Sequence, residues 1–143
     1  MSQGKSNITI IAEIAQGFEG NFEQSKLLIK AAAKAGADAV KFQMVYADEL
    51  STVDYKHYSL FKELEMSDAQ WESLKYYALS FGTKLIVDVF GVKSLKTAEK
   101  ININTIKVHG TDVTNLGLLE AIAISPVKNV ILGLGGAYWA EIE

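Results

Sequence analysis

Short β-branched apolar runs alternate with stretches of helical periodicity along the whole chain. ITIIAEI (8–14) is brief and rich in isoleucine, and it predicts a strand. NFEQSKLLIKAAAKAG (21–36) places Phe22, Leu27, Leu28, Ala31, Ala32 and Ala35 near helical spacing, with Gly36 as the stop. AVKFQ (39–43) predicts the second strand. A long connection follows from Met44 to Met66, with Tyr46, Tyr55, His57, Tyr58 and Phe61 along it. Ser67 and Gln70 form a capping-box signature that opens a helix running to about Phe81. KLIVDVF (84–90) is the third strand, SLKTAEKI (94–101) a short helix and TIKVH (105–109) the fourth strand. A helix is expected from Asn115 to Ile124, stopped by Ser125 and Pro126. NVILGLG (129–135) is a fifth strand, and AYWAEIE (137–143) opens a further helix.

Strand and helix in alternation, joined by short loops, predict an α/β fold of parallel βα repeats with right-handed crossovers. An open doubly wound sheet and part of a (β/α)8 barrel both satisfy that order. A full barrel needs roughly 250 residues, and the chain has 143. The expectation is therefore a single domain over residues 1–143: a partial, about five-stranded TIM-barrel-type unit.

Side chains of a strand alternate between its faces. With Val40 and Phe42 turned to the helices, Lys41 and Gln43 point the other way. The same parity puts Glu13 opposite Ala12 and Ile14, and Asp88 and Phe90 opposite Val87 and Val89. It puts Lys107 and His109 opposite Ile106 and Val108, and Gly133 opposite Leu132 and Leu134. Four strands thus each carry polar residues late, on the face away from the helices. In a barrel that place is the C-terminal mouth, where active sites lie. The alternative is a buried network in which Glu13 and Asp88 simply neutralise Lys41 and Lys107.

Composition narrows the chemistry. The formal charge is −3 with no basic block, which argues against a nucleic-acid partner. There is no cysteine, so disulfides and thiolate metal sites are excluded. All 14 basic residues are lysine, so an anion here meets ammonium, hydroxyl or backbone N–H groups rather than a guanidinium fork. The start, MSQGKSN, is polar, and no apolar run approaches the roughly 18 residues of a membrane span. These features point to a soluble cytoplasmic protein. His57 and His109 are too few for a metal site by themselves. GLGGAYWAE places glycines before a helix and is a weak phosphate-loop candidate. The loop aromatics suit either a lid over the mouth or the packing of the loop itself.

IAEIAQGFEGNFEQSKLLIKAAAKAGADAVKFQ, KELEMSDAQWESLKYYA, IKVHGTDVTNLGLLEAIA and NVILGLGGAYWAEIE together resemble the N-acetylneuraminate (sialic acid) synthase family, in order and over almost the whole chain. That resemblance implies the N-terminal portion of a (β/α)8 barrel, with the C-terminal antifreeze-like domain absent. It implies condensation of phosphoenolpyruvate with N-acetylmannosamine or a related amino sugar in carbohydrate biosynthesis, by a homo-oligomer. Lys41 and Lys107 match the lysines that hold phosphoenolpyruvate, and Glu13 matches a glutamate at the reaction centre. These three are the implied catalytic residues; Gln43, Asp88, Phe90, His109 and Gly133 are the implied substrate contacts. The family uses a divalent metal, Mn or Mg, whose ligands lie beyond the fifth strand and so outside this chain.

The departures from the family pattern are specific. Ala15-Gln16-Gly17-Phe18 stands where the family has glycine, any residue, asparagine, histidine. Asp88-Val89 replaces a serine or threonine followed by proline. Gly110, preceded by His109, replaces a serine, and Gly133-Leu134-Gly135-Gly136 replaces STGM. Several hydroxyls that would face phosphoenolpyruvate are gone, and a carboxylate has arrived. Two functions follow as expectations: a synthase portion, or a non-catalytic partial barrel that self-associates or binds a partner.

Overall fold

The β-branched runs pair side by side in chain order. The computed structural model describes residues 8–142; the polar start over residues 1–7 lies outside them. The strands are β1 Ile11–Ala15, β2 Ala39–Gln43, β3 Lys84–Val89, β4 Thr105–Val108 and β5 Asn129–Leu132. All four pairings are parallel and the order is β1-β2-β3-β4-β5. A doubly wound sheet reverses its order part-way across. This sheet never reverses, so the winding is that of a barrel, and the fold is a partial TIM barrel.

The helices are α1 Phe22–Lys34, α2 Ala47–Leu50, α3 Tyr58–Glu63, α4 Asp68–Ser80, α5 Val92–Lys100 and α6 Leu116–Ala123. Helix α1 buries Ser25 and Ile29, with Phe22, Leu28 and Ala32 packed beside them. That corrects the inward set expected from apolarity. Leu27 is 68% exposed, and Ser25 replaces it because the 22-25-29-32 row follows the helical repeat more closely. Ser25 also settles its hydroxyl on the Asn21 carbonyl at 2.9 Å, so its burial leaves no orphan group.

The core lies between the helix-facing side of the sheet and these helices. Val40, Phe42, Leu85, Val87, Val89, Ile106 and Val108 meet Ile29, Trp71, Leu74, Leu95 and Leu118 there. Phe18, Phe42 and Trp71 form a triangle of rings with centroids 5.6, 5.9 and 6.1 Å apart. Such pairs add ~0.5–1.5 kcal/mol each beyond burial.

Four expected segments differ, the first being β5, which ends at Leu132 rather than running to Gly135. Residues Ile8–Ile10 precede β1 rather than belonging to it, and Ile10 instead exchanges hydrogen bonds with Asp38. The long connection contains α2 and α3. The stretch expected to open a helix at 137 forms only a 3-10 turn, Trp139–Glu141; Glu143 lies outside the described residues. Trp139 there is 73% exposed, so the turn buries no large apolar side chain against the sheet. No helix among the described residues is long and apolar enough to cross a membrane.

Candidate functional site

The parity of the strands brings Glu13, Lys41, Asp88 and Lys107 into one contact network at the strand ends. Register does the positioning. Glu13 lies beside Lys41, Gln43 beside Asp88, and Asp88 beside Lys107. Lys41 Nζ is 2.8 Å from Asp88 Oδ1 and also contacts Glu13 Oε2. Lys107 Nζ is 3.1 Å from Asp88 Oδ2. Exposure rises outward from the middle: the Asp88 side chain is 1% exposed, Lys41 7%, Lys107 21% and Glu13 51%. A buried carboxylate is tolerated only with such partners.

Burial works against the Lys41 ammonium, but the hydrogen bonds and charges of Asp88 and Glu13 outweigh it and raise its pKa above 10.5. Lys41 is therefore a cation at neutral pH. It can attract or orient an anion, and it is not a free amine that attacks a carbonyl.

Glu13 is aimed by a backbone irregularity. The register of β1 against β2 shifts between Glu13 and Ala15, and Ala15 takes a left-handed φ of 51°. Its N–H then donates to Glu13 Oε1 at 3.0 Å. Bulges of this kind re-aim side chains beside functional sites. Directly after it, Gln16 Nε2 donates to Gln43 Oε1 at 2.7 Å. Sequence parity missed Gln16, because the bulge ends strict alternation before it.

Phe90 and His109 make a neighbouring cluster. Phe90 is buried just past β3, and its ring centroid is 5.9 Å from that of His109. His109 Nδ1 lies 3.0 Å from Thr111 Oγ1, and Thr111 in turn donates to Asp112. Gly133 is committed to the backbone: its N–H donates to the Val108 carbonyl at 2.9 Å. A Cβ there would lie 2.9 Å from Gly110 N, so close approach of two chain segments accounts for this glycine.

The loop aromatics pack the loop down. Tyr46 is buried and its hydroxyl lies 2.8 Å from Thr97 Oγ1. Tyr55 stacks on Phe61 and meets His57 edge-on. Among the described residues no group of three or more histidine, aspartate or glutamate side chains could hold a metal ion.

Parallel strands wound without reversal define a barrel-type α/β protein, and the charged side chains gathered at the C-terminal strand ends make the mouth its candidate site. The chain belongs to the NeuB family, whose model matches residues 28–143. It is 34% identical to an uncharacterized protein of Methanocaldococcus jannaschii, over 98% of this chain and 43% of that protein. It is 28% identical to the N,N'-diacetyllegionaminic acid synthase of Legionella pneumophila, over 85% of this chain and 38% of that enzyme. Among solved structures, the N-acetylneuraminic acid (sialic acid) synthetase of Leptospira borgpetersenii, in complex with citrate, matches with a TM-score of 0.89 at 29% identity. That match covers 96% of this chain and 48% of the other. The chain thus spans less than half the length of these relatives.

Proposed function

We propose that this chain supplies the N-terminal part of a cytoplasmic, homo-oligomeric synthase that condenses phosphoenolpyruvate with an N-acetylated amino sugar. The observation that carries the reading is the convergence of Lys41 and Lys107, from β2 and β4, on one point at the strand ends. Two ammonium groups aimed at one point suit a small polyanion. In the proposed reaction the enolpyruvate methylene carbon bonds to the sugar aldehyde carbon. Water adds to the neighbouring carbon, and phosphate leaves. Lys41 and Lys107 would hold the anion, and Glu13, the most exposed member, would exchange a proton or accept a hydrogen bond from a sugar hydroxyl. Gln43, Phe90 and His109 would line the sugar side. The divalent metal used by the family would need ligands from outside the described residues.

The test is a titration of the chain with phosphoenolpyruvate, followed by amide and side-chain shifts in NMR. Shifts at Lys41 and Lys107, removed by Lys107→Met, are expected even at affinity on the order of a millimolar. Absence of any shift in the wild-type chain and in an Asp88→Asn variant would sink the reading.

A second reading has its own observation. On the helix side of β5, Val130 is 47% and Leu132 44% exposed. An uncovered sheet face of this kind favours association. The non-catalytic alternative, a partial barrel that pairs with another copy, predicts a dimer in light scattering; a clean monomer argues against it.

A further inference from the structure

Lys41 and Lys107 enter from strands on either side of β3, and each takes one oxygen of the same carboxylate, at 2.8 and 3.1 Å. This is the arrangement of a bidentate anion in a cradle of two cations, with the anion built into the chain. Only 1% of the Asp88 side chain is exposed, so water does not share the role. The charges close on themselves: Glu13 and Asp88 balance Lys41 and Lys107. An arriving phosphate or carboxylate finds both ammonium groups engaged. Unless it displaces Asp88, it adds unpaired negative charge to a buried site.

We propose that Asp88 is a tethered counter-ion occupying the anion cradle between β2 and β4, and that by competing for the two ammonium groups it weakens the affinity of the strand ends for a free anion, phosphoenolpyruvate included. The proposal rests on the reading above, that the lysine pair is an anion site, and it names the residue that tunes it. A carboxylate held on the same backbone has an effective concentration far above that of a ligand in solution, so the free anion competes at a disadvantage. Lys107 is where displacement would begin. It is more exposed than Lys41, and its contact to Asp88 is longer, whereas Lys41 holds Glu13 as well. Asparagine at 88 would keep the shape and one acceptor while removing the charge, leaving the cradle one positive charge in excess.

Inorganic phosphate is the probe, titrated by calorimetry into the wild-type chain, Asp88→Asn and Asp88→Ser, with melting curves in parallel. The expected result is millimolar binding by the wild type and at least about tenfold tighter binding by the variants. Phosphate should also raise the variants' melting temperature, and adding Lys107→Met should abolish the gain. Folded variants that bind phosphate no better than a binding wild type overturn the proposal while leaving the lysine pair as an anion site. If no folded form binds phosphate or phosphoenolpyruvate, the anion reading falls with it. Should both variants fail to fold, the wild-type chain decides. Millimolar binding that Lys107→Met removes supports the proposal; micromolar binding, or none that Lys107→Met removes, overturns it.

Discussion

Ala15 is an L-residue in the left-handed region, φ 51°, where a Cβ crowds the backbone. The conformation costs ~1–2 kcal/mol for residues other than glycine. It persists because the bulge turns the Ala15 N–H onto the Glu13 carboxylate, 3.0 Å away. Glycine would relieve the strain but lose ~0.5–1 kcal/mol to its extra freedom in the unfolded chain. Ala15→Gly is therefore expected to stabilise by a few tenths to ~1 kcal/mol, read from urea midpoints at unchanged slope. A loss of stability would show that the strain lies elsewhere. Gly20 is the opposite case. At φ 70°, an added Cβ would sit 1.8 Å from the Glu63 carbonyl oxygen, so Gly20→Ala should cost ~2 kcal/mol or more by the same measurement.

Helix α4 shows an element whose start is written locally. Ser67 Oγ accepts from Gln70 N at 3.3 Å, and Gln70 Oε1 accepts from Ser67 N at 2.9 Å. The S-x-x-Q spacing is readable in sequence because cap and box are four residues of one chain segment. Ser67→Ala should cost about 1 kcal/mol, with hydrogen exchange quickening first in the opening turn of α4. Uniform loss of protection across the sheet would contradict that assignment. Helix α1 is the counterexample. Its boundaries follow from Asn21 and Gly36, but its inward face does not, since apolarity favours Leu27 while packing chooses Ser25 and Ile29.

At the scale of the molecule, ion pairs bound the pH range of stability. The Lys100 hydrogen bond holds the Asp68 carboxyl below its ordinary 3.8, and the Tyr58 hydroxyl does the same for Asp48. Depressed carboxylates stabilise fully above about pH 3.8, and that contribution is lost as pH falls through their lower folded values. Lys41 has the opposite sign. Its contribution is complete below pH 10.5 and is lost as pH rises through its higher folded value. Urea midpoints should therefore stay flat from about pH 5 to about pH 9 and fall on either side. Asp68→Asn should soften the acid limb, and the part of the alkaline limb that rests on Lys100 as well, because the Asp68 hydrogen bond is what holds the Lys100 ammonium above its ordinary 10.5.

The sequence by itself determined the number, type and order of the repeats, because strand and helix periodicities are local. It also determined that Glu13, Lys41, Asp88 and Lys107 share a face, because alternation along a strand is geometric. It left the winding of the sheet open: β-α order is common to doubly wound sheets and barrels, and only strand pairing across tens of residues separates them. It likewise left Asp88 between two roles. A carboxylate at a strand end reads equally as ligand contact or counter-ion until the register sets it between two lysines. The bulge at Ala15, the Gln16–Gln43 link and the backbone approach that requires Gly133 were decided by tertiary structure, since each depends on a neighbouring strand or loop rather than on local spacing.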